Sequence, residues 1–246
     1  MFYVEGLRIV AEAAERGAQF ETLIVAPELL KSPFGQQLAN RLIAQGVLLI
    51  EVSADLFQRI SLKERPQGLA AVVYQRWLSL AEVGHEKKNG LPGETWVALD
   101  AVADPGNLGT ILRTHDAVGG EGVILLDQST DPYDPSAVRA SMGALFCQKL
   151  VKANLAEFAA WKDRTGIPVI GTSGAAKVDY HEFRYPPAMV LLMGSERHGL
   201  QDEHLTVCDE LVSIPMLGSS DSLNLAVATA VVLYEILNQR REQKRP

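Results

Sequence analysis

Between residues 95 and 240, short runs of valine, isoleucine and leucine alternate with segments of helical periodicity, and this alternation limits the possible folds more than any other feature. TWVALDAV, GVILLD, IPVIGTS, AMVLLMG and ELVSIPM read as strands, and LGTILRTHDAVG, NLAEFAAWKDRTG and LNLAVATAVVLYEILNQR as helices. Strands that alternate with helices imply an α/β fold, a mostly parallel sheet covered by helices. The first third repeats the pattern on a smaller scale. ETLIVAP, GVLLIEV and GLAAVVYQ read as strands, and VEGLRIVAEAAERG and GQQLANRLIAQG as helices that each end on glycine. From Leu78 to Glu94 the periodicity gives way to polar residues with Gly and Pro. The expected organisation is a small α/β domain over 1–78, a linker over 79–93 and a larger domain over 94–246.

Composition narrows the class. With 246 residues, 47% of them hydrophobic and 22% charged, the chain can build a core and is neither disordered nor fibrous. The apolar run Ala188 to Met193 is too short to span a bilayer, and MFYVEG is not a basic region followed by an apolar one, so a cytoplasmic protein without a membrane partner is expected. Cys147 and Cys208 form no CxxC pair and no histidine cluster has ligand spacing, so no metal is expected and both cysteines read as buried small hydrophobes. A net charge of -7 argues against nucleic-acid binding through bulk charge, which leaves local basic surfaces. One candidate is the tail, with Arg240, Arg241, Lys244 and Arg245; the same cations also suit an ordinary solvated helix end.

Three segments carry candidate chemistry. In LDAVADPGNLGTILRTHDAVG a strand turns through Asp104-Pro105-Gly106-Asn107 into a helix, with Asn107 a good N-cap and Arg113 nearly two turns further on. In VLLMGSERHGL an apolar strand ends at Gly194-Ser195-Glu196, and Gly199 reads as opening another helix; strand ends are where open α/β sheets bind ligands. In VSIPMLGSSDSLNLAVATAVVLYEIL a strand and turn lead through Ser222 and Asn224 into a long apolar helix. Neither GxGxxG after a strand nor GK[ST] occurs, which disfavours a dehydrogenase and a P-loop enzyme.

Together these segments resemble the three signature motifs of the SpoU/TrmH family of RNA ribose 2′-O-methyltransferases, over essentially all of 94–240. The matching positions are Asn107 and Arg113 in the first, Gly194, Glu196 and Gly199 in the second, and Ser222, Leu223, Asn224 and Ala226 in the third, and nothing in them departs from the pattern. FYVEGLRIVAEA through ERPQGLAAVV is similar to the ribosomal-protein-like substrate-binding domain of many members. Relatives usually begin with a further polar, basic stretch, so the expectation from the resemblance is a shortened form or a start-site variant in which an RNA-contacting arm is missing. It further implies a deep trefoil knot in the larger domain, a homodimer with the site at the subunit junction, and S-adenosylmethionine as cofactor. The apolar helix after Ser222 is compatible with an isologous interface and equally with a core position.

The resemblance also implies residue roles. Arg113 is assigned the base role; because arginine is essentially always protonated, orienting the hydroxyl and stabilising a developing alkoxide is the preferred description. Asn107 orients Arg113 or the ribose, Glu196 holds the arginine or the partner subunit, and Ser222 and Asn224 complete a polar wall. The cofactor is expected on Thr172, Ser173, Leu192, Met193, Gly194, Gly199, Ile214, Met216, Leu223 and Ala226, which supply an apolar slot with backbone groups. RNA contacts are expected from Arg113, Arg139, Ser141 and Arg197, with 23S ribosomal RNA favoured over transfer RNA. The rival class is a non-catalytic RNA-binding or ribosome-assembly protein of the same fold.

Overall fold

A computed structural model describes residues 1–83 and 95–243 and arranges them around two sheets. The first contains β1 (Phe2–Glu5), β2 (Phe20–Val25), β3 (Leu48–Glu51) and β4 (Leu69–Val73), with helices α1 (Leu7–Glu15), α2 (Pro33–Ala44) and α3 (Ala54–Ile60) between them. Its order is β1-β4-β2-β3: β4 runs antiparallel to β1 and β2, and β2 runs parallel to β3. The strand β1 and helix α3 go beyond the elements expected from periodicity. FYVE runs straight into LRIVAEAAE in sequence, and only Gly6, at φ 100°, breaks strand from helix. Ser32 starts α2 by accepting the Gly35 N–H, with Pro33 at the first helical position.

The second sheet is larger. Its strands are β5 (Thr95–Asp100), β6 (Gly122–Leu126), β7 (Lys149–Ala153), β8 (Val169–Thr172), β9 (Val178–Asp179), β10 (Met189–Met193) and β11 (Glu210–Ser213). The helices are α4 (Pro105–Ala117), α5 (Pro135–Ser141), α6 (Leu155–Thr165), α7 (Asp202–Leu205) and α8 (Leu225–Glu242). The order is β7-β6-β5-β10-β8-β11-β9 and every neighbouring pair is parallel, as the alternating pattern implies. The five apolar runs of the larger domain are β5, β6, β8, β10 and β11. The charge-interrupted KLVKA of β7 and the two-residue β9 carry too weak a signal to stand out in the sequence. Because β10 enters between β5 and β8, the C-terminal ends of these three strands lie side by side, the edge where parallel sheets open toward ligands.

The two units share a core. One apolar cluster joins Phe2, Val4 and Ile9 to Val97, Tyr133 and Leu145, and the Phe2 ring lies 4.5 Å from Tyr133 and 6.0 Å from Phe146. The chain leaving β4 is pinned by Tyr133, whose hydroxyl accepts the Arg76 N–H at 2.9 Å and donates to the Arg76 carbonyl at 2.6 Å. Leu78 then bridges to Val151 beside β7, Ser79 and Glu82 cap a short 3-10 turn, and Val83 is buried. The start of the expected linker therefore packs on the second sheet, and residues 84–93 of it lie outside the described residues.

Burial raises the Cys147 thiol to about 12 and the Cys208 thiol to about 11, so both half-buried cysteines are protonated at neutral pH. No helix among the described residues is long and apolar enough to cross a membrane.

The Tyr133 bridge has a measurable weight. Tyr133→Phe keeps the ring contacts but leaves the N–H and carbonyl of Arg76 without that partner, at an expected cost of about 1–3 kcal/mol. A urea midpoint unchanged from the wild type would remove the bridge from any role in holding the two units together.

Candidate functional site

The three motif segments meet at the C-terminal edge of the large sheet through a chain of hydrogen bonds. Glu196, just past β10, accepts N–H groups from the turn after β5: Ala103 to Oε2 at 3.1 Å and Asp104 to Oε1 at 3.2 Å. Asn107 Nδ2 donates to the same Oε1 at 3.1 Å, and Asn224 Nδ2 donates to Asn107 Oδ1 at 2.9 Å. Asn224 is also the N-cap of α8, its Oδ1 accepting the N–H groups of Ala226 and Val227, so neither end of its amide is free to turn. Partial burial opposes ionisation of Glu196, but the hydrogen bonds from Ala103, Asn107 and Asp104 outweigh it and hold the carboxyl below the ordinary value of 4.5.

Beside this relay lies a cleft of about 330 Å³ between the ends of β8, β10 and β11 and the start of α8. Its apolar walls include Met193, Val212, Ile214, Met216 and Leu223, and Thr172, Ser173, Gly194, Ser195 and Asp221 add polar or backbone groups. Leu223 and Met216 remain 37% and 36% exposed, apolar side chains left open to a ligand. Gly194 is required by the geometry: a Cβ there would lie 2.1 Å from the Gly199 carbonyl carbon and 2.3 Å from Leu200 N, so the strand end and the following turn touch through backbone.

The structure gathers most of the residues expected from sequence, with exceptions. Thr172, Ser173, Met193, Gly194, Glu196, Arg197, Gly199, Ile214, Met216, Ser222 and Leu223 line the cleft, and Asn107 and Asn224 reach it through Glu196. Leu192 and Ala226 do not line it: Leu192 is fully buried within β10, and Ala226 is 4% exposed in the first turn of α8. Asn107 is not the cap of α4; Asp104 is, with Oδ1 accepting the Asn107 N–H at 2.6 Å, which frees the Asn107 side chain for the relay. Gly199 does not open a helix but sits in a turn at φ 63°, and α7 begins at Asp202. Among the described residues Glu196 holds Asn107 and the Ala103–Asp104 backbone.

The expected RNA contacts divide similarly. Arg113 and Arg139 are exposed on α4 and α5, which pack closely because Gly109 faces Ala137 and Ala140. Arg197 lies at the cleft itself. Ser141 is 1% exposed and gives its hydroxyl to the Val138 carbonyl, so it faces the interior and not an RNA. In the tail, Arg240 is folded back onto the Pro187 carbonyl at 2.9 Å and burial lowers its pKa, whereas Lys244 and Arg245 lie outside the described residues. Sequence reading passed over Ser195, His198 and Leu200 as cleft residues, and Asp104 as the cap. The Asp-Pro pair at a strand exit was the available signal for that cap.

Among the described residues, Asp100, Asp127 and His204 bring three potential metal-ligand atoms within 4.8 Å of one another. His204 Nδ1 accepts the Gln201 N–H at 3.3 Å, which places the ring proton on Nε2, 3.1 Å from Asp100 Oδ1.

Comparison with known proteins places this geometry. Residues 94–234 match the model of the SpoU rRNA Methylase family, and residues 1–71 match the MRM3-like substrate binding domain. A 23S rRNA (uridine(2479)-2'-O)-methyltransferase of Streptomyces viridochromogenes is 32% identical over 97% of this chain and 83% of its own length. A 23S rRNA (guanosine(2553)-2'-O)-methyltransferase of Bacillus subtilis is 29% identical over 96% of this chain and 88% of its own. The crystal structure of an AdoMet-bound rRNA methyltransferase from Sinorhizobium meliloti superposes with a TM-score of 0.86 at 37% identity, covering all of this chain and 88% of that one. With its three motif segments joined at one cleft and the family model spanning more than half its length, the chain belongs to the SpoU rRNA methylase family.

Proposed function

We propose that this protein methylates the 2′-hydroxyl of a ribose in 23S ribosomal RNA, with S-adenosylmethionine as methyl donor. The observation that carries the reading is the Glu196–Asn107–Asn224 relay at the mouth of an apolar cleft. Relatives named as 23S rRNA 2'-O-methyltransferases align over nearly the whole chain, and the match of residues 1–71 to a substrate-binding domain supports ribosomal RNA over transfer RNA.

The cleft's residues fit the donor. Leu223, Ile214 and Met216 would flank the adenine, while backbone groups at Gly194 and the hydroxyls of Thr172 and Ser173 would meet its polar edges. When bound, the donor supplies an electrophilic methyl on a positively charged sulfur. The protein's part is positioning and charge. Arg113, exposed on α4, would meet the ribose hydroxyl at the subunit junction, orient its oxygen and stabilise the negative charge that grows there as the proton passes to water. Asn107 holds the helix start that carries Arg113, Glu196 and Asn224 lock Asn107 in place, and Ser222 adds a polar group at the cleft wall. Arg139 and Arg197 serve as phosphate contacts.

The further architecture we infer is a trefoil knot formed by the segments around β10, β11 and α8, in a catalytic domain over 94–246 joined through 79–93 to a substrate-binding domain over 1–78. Two copies pair through the outer face of α8, where Val227 is 49% and Tyr234 47% exposed. The setting is the cytoplasm.

Three tests follow from this reading. Calorimetric titration with S-adenosylhomocysteine is expected to show saturable binding that Leu223→Arg abolishes; absence of binding to the folded wild type would sink the methyl-donor reading. Arg113→Ala is expected to abolish methylation while that binding survives, and unchanged turnover would remove Arg113 from its role. Glu196→Gln is expected to lower stability at neutral pH. Because the folded-state pKa of Glu196 is depressed, the carboxylate's contribution is present above the unfolded value and lost as pH falls through the folded one. The gap in urea midpoint between the two proteins should therefore narrow as pH falls below the ordinary glutamate value of about 4.3 and close only below the depressed folded one; a gap independent of pH would contradict it.

A further inference from the structure

The segment Tyr74-Gln75-Arg76-Trp77 joins the two sheets, and it places Trp77 in a setting unlike those of the other tryptophans. Trp96 and Trp161 are 2% and 1% exposed, whereas Trp77 is 37% exposed. The indole is held in place: Nε1 donates to Gln75 Oε1 at 3.2 Å, Tyr133 packs edge to face against it at 5.4 Å, and the neighbouring Leu78 is fixed to Leu150 by a 2.8 Å backbone bond. A rigid, partly exposed indole at a concave site offers a stacking surface at little entropic cost.

Trp77 opens on a cleft of about 260 Å³, distinct from the one beside Glu196, lined also by Asp127, Thr130, Asp131 and Lys152. Asp127 sits there at φ 50°, a left-handed conformation uncommon outside glycine. Asp131 uses Oδ1 for the Tyr133 N–H at 2.9 Å. Two carboxylates repel a phosphate, so a nucleic acid would enter this cleft base first. The Asp131 carboxylate can accept two adjacent N–H donors, and Lys152 lines the same cleft as a cationic donor. Of the four bases, guanine carries neighbouring N1–H and N2–H donors beside the acceptors O6 and N7.

The cleft shares an edge with the site. Asp127 to Asp131 follows the C-terminal end of β6, and Lys152 lies near that of β7. Thr130 N donates to Val102 O at 2.7 Å and Val102 N to Ser129 Oγ at 3.3 Å, which joins this loop to the turn that holds Glu196 and Asn107.

Building on the RNA reading above, we propose that the Trp77 cleft takes one unpaired base of the substrate RNA, guanine in preference to the others, stacked on the indole and read by Asp131. A strand anchored there runs along the same sheet edge toward Arg113, and the segment between the two sheets is a substrate-selecting element.

The test uses the full chain and two single-stranded pentaribonucleotides, UUGUU and UUUUU, with intrinsic tryptophan fluorescence as readout. UUGUU is expected to quench emission saturably, and UUUUU, which lacks guanine's paired donors, to bind about 10-fold more weakly. Trp77→Phe should remove the quench yet retain most of the affinity measured by anisotropy, because an aromatic ring remains. Trp77→Ala should lose about 10-fold, and Asp131→Asn should reduce the preference for UUGUU. S-adenosylhomocysteine binding, measured in parallel on every variant, should not change. Equal affinity of both oligonucleotides, or wild-type affinity in Trp77→Ala, would overturn the proposal while intact S-adenosylhomocysteine binding leaves the methyl-donor reading standing. Loss of that binding in the wild type would instead overturn the reading on which the proposal rests.

Discussion

The carboxylate of Glu196 is the point on which the active edge of this protein depends. It accepts two backbone N–H groups from the turn after β5 and one side-chain N–H from Asn107 while itself sitting just past β10, so one anion fixes the exits of two adjacent parallel strands. Bonds from N–H groups to a carboxylate are roughly twice as strong as neutral ones. Here they outweigh the burial that would otherwise favour the protonated form. Asn107 passes the constraint to Asn224, and Asn224 transmits it to α8 through the first free N–H groups of that helix.

Backbone shape supports this arrangement. Gly194 lets the end of β10 touch the turn at Gly199, and Gly109 lets α4 lie against α5, so the helix carrying Arg113 sits in one position. Arg113 itself stays exposed at the surface of α4.

The junction between the two units follows a different logic, in which apolar burial does most of the holding and a few polar bonds set the register. Phe2, Tyr133 and Phe146 merge the two cores, and the Tyr133 hydroxyl satisfies both backbone groups of Arg76. With the connecting segment so anchored, the first unit cannot swing freely against the second, and Trp77 between them is held against Tyr133.

Much of this was legible in the sequence, because periodicity and turn chemistry are local. The runs that became β5, β6, β8, β10 and β11 announced a parallel sheet, and the three motif segments identified the family and named Asn107, Glu196 and Asn224 together. What local pattern could not supply was the direction of each polar side chain. Asn107 reads as a helix cap until Asp104 is seen to take that place, Ser141 reads as a surface hydroxyl until it is found bonded to Val138, and Leu192 differs from its neighbour Met193 only in which face of β10 it occupies. The strand β7 was hidden because its charge-interrupted KLVKA gives little periodic signal, and the setting of Trp77 because its ring partner Tyr133 lies more than 50 positions away in sequence. The sequence by itself determined the α/β class, the family and the identity of the relay residues. Only the tertiary structure decided which atoms they present to one another, because hydrogen-bond direction and burial are set by contacts that exist only once the sheets have formed.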